Sequence, residues 1–255
     1  MGMPSSVNSL LCCLLLFLFA VTARAQQQTL TVPNGTILPV RLNDEINSKR
    51  AQSGQVITAR IMQDVPLPSG AKIPKGSLVS GLVVSRVPAS QGQAAVKFRF
   101  DTLEIHRQKM AIKTDLRALA TPVEVGLAQV PETSPGYGTP WVWVTTRQIG
   151  GDEVYGRYGV VTDRTSEKVG TSVMDGVLVE VRAQPGSDCR GKIGDENSVQ
   201  ALWVFSSDAC GVYGSDSLVI RHAGRTEPKG QIEVISQPGD VKIRAGSGML
   251  LRTEP

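Results

Sequence analysis

The feature that most constrains the fold of this chain is a turn written three times. Val32-Pro33-Asn34-Gly35-Thr36 recurs 41 residues later as Ile73-Pro74-Lys75-Gly76-Ser77, and a looser copy, Ile243-Arg244-Ala245-Gly246-Ser247, stands near the C-terminus. In the two full copies a β-branched residue ends a strand, Pro33 or Pro74 fixes φ, and Gly35 or Gly76 supplies a positive φ. A Thr or Ser hydroxyl then bonds nearby backbone. In the third copy Gly246 keeps the turn position. Met249-Leu250-Leu251-Arg252 behind it echoes Ile37-Leu38-Pro39-Val40-Arg41 behind the first. This punctuation predicts an all-β fold: a barrel or sandwich of short antiparallel strands, with a loop-rich insertion and one disulfide. The echo predicts a last strand that returns to the sheet begun by the first.

Alternation within the segments agrees. Leu38, Val40 and Leu42 alternate with Pro39, Arg41 and Asn43, and Ile57, Ala59 and Ile61 share one face of a second strand. Val96, Phe98 and Phe100 face one way, but Leu103 and Ile105 fall on odd positions, so a bulge near Asp101-Thr102 is expected. Leu78 to Val84 is nearly all apolar and reads as a strand buried on both sides. His106 falls in a polar turn. Composition divides the rest into residues 26–118, a β-barrel-like module, residues 119–185, a Pro/Gly-rich insertion with short strands, and residues 186–255, a disulfide-containing segment.

Residues 1–25 read as a cleavable secretory signal. A polar opening leads into the apolar run Leu10 to Val21 and then Ala23-Arg24-Ala25. The run has 12 residues, whereas a bilayer-spanning helix needs roughly twenty. The expectation is therefore a periplasmic or secreted chain with no transmembrane segment after cleavage. Of the four cysteines only Cys189 and Cys210 lie beyond the signal. In an oxidising compartment they are expected to pair, closing a loop of roughly twenty residues worth about 3 kcal/mol. Free thiols or half of a metal site are the competing readings.

Charge is unevenly placed. Residues 26–118 carry 13 Lys or Arg against six Asp or Glu, and residues 119–255 carry 13 against 17. The basic half fits an anionic partner, or simply fills outward strand positions. Export and the scarcity of aromatics beyond Phe98 and Phe100 argue against nucleic acid. Trp141 and Trp143 share one strand face beside a Gly/Pro loop, an arrangement that stacks on sugar rings or another protein, or packs in a core. Tyr155 and Tyr158, which flank Gly156, extend that candidate binding surface.

Catalytic spacing is missing. His222, Ser206, Ser207 and Asp208 supply the residue types of a hydrolase, but no Gly-x-Ser-x-Gly elbow is present. The two histidines make no zinc motif, and Asp195-Glu196-Asn197 lacks the spacing of a calcium loop. No catalytic residue, metal or cofactor is assigned. The leading expectation is an envelope scaffold or interaction module that assembles with itself or with envelope proteins. A carbohydrate- or peptidoglycan-binding module and a secreted hydrolase are the alternatives.

Val32-Pro33-Asn34-Gly35-Thr36, the strand Ile37 to Leu42, Ile46-Asn47-Ser48, the strand Val56 to Val65 and Ile73-Pro74-Lys75-Gly76-Ser77-Leu78-Val79-Ser80-Gly81 follow one another in a known order. That order resembles the periplasmic β-barrel domain of type IV secretion and conjugation envelope scaffold proteins, over about a quarter of the chain. The resemblance implies a barrel that packs against copies of itself or partner subunits. The family's membrane anchor, Pro-rich spacer and outer-membrane helical segment have no counterpart here, so only the barrel module is carried over.

Overall fold

Period-two alternation builds the first half of the chain. The computed structural model describes Gly2 and residues 31–132, 144–182 and 199–255. Its first strands are β1 (Ile37–Leu42), β2 (Ile46–Asn47), β3 (Val56–Ile61), β4 (Val65–Pro66), β5 (Lys72–Ile73), β6 (Leu78–Val87), β7 (Ala94–Ile105), β8 (Gln108–Ala111) and β9 (Thr114–Ala120). A short helix follows, α1 (Pro122–Leu127), with Pro122 at its first position and Thr121 as its cap. Then come β10 (Thr145–Arg147), β11 (Glu153–Tyr155), β12 (Val160–Thr162), β13 (Lys168–Val173), β14 (Gly176–Glu180) and β15 (Val199–Ala201). The last are β16 (Gly211–Tyr213), β17 (Leu218–His222), β18 (Ile232–Ser236), β19 (Lys242–Ile243) and β20 (Gly248–Thr253).

The all-β expectation holds, and of its two forms the barrel is the one built. One sheet runs β16, β9, β20, β1, β3, β6, β7, β18, β17, with β8 folded back on β7. Its pairings are antiparallel except that β16 lies parallel to β9. Beyond β17 the chain returns to β9, where the Leu116 N–H donates to Ala223 O at 2.8 Å, so the sheet nearly closes. Leu38, Val40, Leu42, Ile57, Ala59 and Ile61 are all buried. Each fully buried Leu or Ile contributes about 2–3 kcal/mol relative to exposure. The phase slip in β7 is a bulge: Ser80 pairs with Thr102 and Gly81 with Phe100, leaving Asp101 over. Both apolar sets therefore reach the core, and Phe98 meets Phe100 edge to face at 6.0 Å.

β6 differs from the expectation. Val79, Gly81 and Val83 are buried, but Leu78, Ser80 and Leu82, which alternate with them, are half-exposed. The strands buried on both faces are instead β1, β9 and β20. Their pairing puts Leu38, Val40, Leu116, Leu119, Met249 and Leu251 on one face, and Ile37, Pro39, Ala118 and Leu250 on the other. The second face is covered by another sheet. That sheet is an antiparallel meander in the order β10 to β15, whose Val154, Val161, Val177 and Val179 form one core cluster with Ile37, Ala118, Ala120 and Leu250.

The stretch 119–185, expected to be loop-rich, thus carries α1 and five strands of this meander. The sixth, β15, comes from beyond Pro185, and β16, β17, β18 and β20 return to the barrel. Three-residue strands give too few periods for alternation to show. Cys189 lies outside the described residues, and with it the pairing to Cys210.

The repeated turns have a reciprocal arrangement. Gly35, before β1, donates its N–H to Thr253 O at the end of β20, while Gly246, before β20, donates to Leu42 O at the end of β1, both at 2.8 Å. β3 and β6 do the same. Gly76, before β6, donates to Ile61 O, and Gly54, before β3, donates to Val83 O, again at 2.8 Å. The four glycines have φ between 82° and 88°, the left-handed region that a Cβ makes costly. Gln52-Ser53-Gly54-Gln55 is thus a fourth copy, lacking the Pro that marks the first two.

Candidate functional site

Gly176, the first residue of β14, packs so closely on the Gln63 side chain and the Trp203 main chain that a side chain there has no room. A Cβ there would lie 2.1 Å from Gln63 Oε1 and 2.8 Å from the Cα of Trp203. Gln63, one residue past Met62, has no exposed surface. Its Oε1 accepts the Trp203 N–H at 2.7 Å, and its Nε2 donates to Val177 O at 2.8 Å. From the other side comes Gln148, also buried, at the end of β10. With its amide nitrogen turned inward it donates to Trp203 O and Val204 O, each at 3.1 Å. Two buried amides are thus committed to the main chain of one residue.

Trp203 needs that support. Its φ is +54°, a left-handed conformation costing of order 1–3 kcal/mol in a bulky residue. Leu202-Trp203-Val204-Phe205 reads as a continuation of a strand but is a tight turn, closed by the Phe205 N–H on Leu202 O at 2.9 Å. All four are buried, so no polar position marks the turn in the sequence. Backbone strain held by dedicated partners is concentrated at functional sites.

Trp203 forms part of the wall of a cleft of about 560 Å³ between the meander, the Met62 end of β3 and the residues that follow α1. Met62, Val144, Val154 and Val177 make its walls apolar, Thr146, Gln148 and Ser172 supply polar groups, and Lys75, Asp175 and Arg157 are its charged residues. Lys75 and Asp175 pair at 2.8 Å. The Arg157 guanidinium carbon sits 5.7 Å from the centroid of the Tyr158 ring. A predominantly apolar cavity of this size with a few polar groups is the usual form of a small-ligand site. A second cavity, of about 360 Å³, lies at one end of the barrel between α1 and the β16–β17 connection. Its Asp240 is already engaged by Ser48 Oγ and the Ala89 N–H.

Of the residues singled out in the sequence, Trp141, Trp143 and Cys189 lie outside the described residues. Val144, next in sequence to Trp143, lines the cleft. Tyr155 and Tyr158 are exposed. The Tyr155 hydroxyl donates to Glu153 Oε2 at 2.5 Å, and Tyr158 occupies a turn at φ +64°. The two rings do not pair with one another; among the described residues the aromatic pair is Phe98 with Phe100, edge to face.

The hydrolase residues are dispersed. His222 Nδ1 lies 2.6 Å from Gln231 O and Nε2 lies 3.1 Å from Thr226 Oγ1. Ser206 Oγ donates to Asp208 Oδ1 at 2.6 Å, and neither serine hydroxyl reaches the imidazole. The Ser207 N–H is bound instead by Asp152 at 2.7 Å, whose carboxyl is pushed up by burial. Among the described residues no group of three or more His, Cys, Asp or Glu is placed to hold a metal ion, and no helix is long and apolar enough to cross a membrane. No protein-family model and no curated protein matches the chain.

Sequence reasoning missed Gln63, Gln148, Trp203 and Arg157. Gln63 is 140 positions from the residue it holds, and nothing local distinguishes it from a solvated glutamine.

Proposed function

We propose that the protein is a non-catalytic binding module of the cell envelope, in which the barrel is the scaffold and the cleft beside Trp203 takes a small, largely apolar ligand. The observation that carries this reading is Trp203 itself, held left-handed at the cleft wall by two buried glutamines. Such pre-organisation spares a ligand the cost of ordering its site. The signal-like N-terminus and the resemblance of the first third to envelope barrel domains support the location and the scaffold role.

The test uses Nile red, a neutral apolar dye. Saturable binding at one dye per chain is expected, and Thr146→Trp, which fills the cleft from the edge strand β10, should reduce it at least tenfold without lowering the melting temperature. Absence of saturable binding, or binding indifferent to Thr146→Trp, would refute the reading.

A further inference from the structure

The charges around the cleft do not cancel. Lys75 and Asp175 neutralise one another at 2.8 Å, which leaves Arg157. Among the described residues Arg157 makes no ion pair and no hydrogen bond, and its guanidinium lies over the face of Tyr158. Exposed apolar residues stand next in sequence to several of the lining residues. Leu127 and Val130 flank the lining residues Ala128 and Gln129, Met174 stands between the lining residues Val173 and Asp175, and all three are 58–61% exposed. A largely apolar cavity with exposed apolar neighbours and one cation outside any ion pair matches a molecule that has a greasy body and one negative end.

From this complementarity we infer that the ligand is a monoanionic amphiphile, a fatty carboxylate, whose chain occupies the cavity against Met62, Val154, Val177 and Trp203 and whose carboxylate meets Arg157. The inference rests on the cleft being a ligand site. The polar groups on its walls are largely committed elsewhere: Gln148 to the Trp203 turn, and Ser172 Oγ to Gly156 O at 3.0 Å. An alkyl chain asks nothing of them. A cationic head would meet Arg157 with like charge, and a neutral head would leave its charge unused. The guanidinium presents paired N–H donors that suit a carboxylate.

Displacement of Nile red by dodecanoate, dodecanol and dodecylammonium, each below its micellar concentration, separates the possibilities. Dodecanoate should displace the dye at about one-fifth the concentration of dodecanol, as expected for one partly solvated charge pair, and well below dodecylammonium. Arg157→Gln should abolish the difference between dodecanoate and dodecanol while leaving dodecanol unchanged. Equal potency of the three compounds, a dodecanoate preference that survives Arg157→Gln, or failure of all three to displace a dye that itself binds would overturn the inference. Failure of Nile red to bind the wild-type protein would overturn the binding-module reading beneath it.

Discussion

Asp115→Ala should destabilise the protein by about 3–5 kcal/mol, the usual cost of removing one partner from a buried charge group. Asp115 has no exposed surface. Its Oδ2 accepts from Arg252 Nε at 2.9 Å and its Oδ1 faces Arg225 Nε at 3.4 Å. Without it two guanidinium groups, each with 10% of its side chain exposed, would lose the carboxylate they share, with Glu254 remaining on Arg252. Arg225 belongs to the segment that brings the chain back from β17 to β9, and its Nη2 donates to Leu116 O. The barrel should therefore open first at that join, with faster amide exchange at Leu116 than at Ile61.

Asp115→Asn should be far milder. Burial, with hydrogen bonding to Glu254, pushes the Asp115 carboxyl up to about 7 against the opposing pull of Arg225 and Arg252. Glu254, despite its own burial, is held below the usual carboxylate range by hydrogen bonds with Asp115 and Arg252. Asp115 thus keeps a proton that an unfolded aspartate gives up near pH 4. Its contribution to stability is fully present below about pH 4 and is lost as pH rises through 7. Glu254 acts oppositely, but only at acid pH. The wild-type melting temperature should rise on going from pH 8 to pH 5, and Asp115→Asn should flatten that slope. Parallel wild-type and Asp115→Asn curves would remove the explanation.

Arg117→Met is expected to cost about 2–6 kcal/mol, and to do so locally. The register of β9 on β20 slips between Leu250, opposite Ala118, and Leu251, opposite Leu116, so Arg117 is the extra residue of a bulge. Its buried guanidinium then ties the barrel to the segments that leave the second sheet after β14 and β15: Nε donates to Ala209 O at 2.8 Å, and Nη2 to Arg182 O at 2.9 Å and Ser207 O at 3.3 Å. Methionine keeps the length of the stem but leaves the Ala209 and Arg182 carbonyls without this donor, at about 1–3 kcal/mol each. Hydrogen exchange should accelerate at residues 201–209 and change little in β3 and β6. Uniform acceleration across both sheets would show that Arg117 is not the tie.

The barrel was legible where one face meets water. Arg60, Lys97 and Arg99 mark the outer positions of β3 and β7, and with one face fixed the bulge at Asp101 follows from phase alone. The echo between the first and third turns likewise corresponds to a pairing, β1 with β20. Legibility failed where both faces are covered. In Leu202 to Phe205 every residue is buried, so turn and strand look alike. The cleft was invisible for a different reason: Gln63, Gly176 and Trp203 are brought together from β3, β14 and the turn after β15, and the residue that marks the site does so through its φ angle rather than its type.

The exchange of caps between strands also imposes an order in time. Gly76 bonds the end of β3 and Gly54 bonds Val83 within β6, and all four pieces lie between Gln52 and Val87, so this pair can zip while the rest of the chain is still being made. β1 and β20 are bound by the same rule across more than two hundred residues. A newly synthesised chain can pair β1 with β3 on one edge but leaves its other edge open until residue 253 emerges, and that long-range closure, slow by its loop entropy, is where a helper that shields an open strand would act.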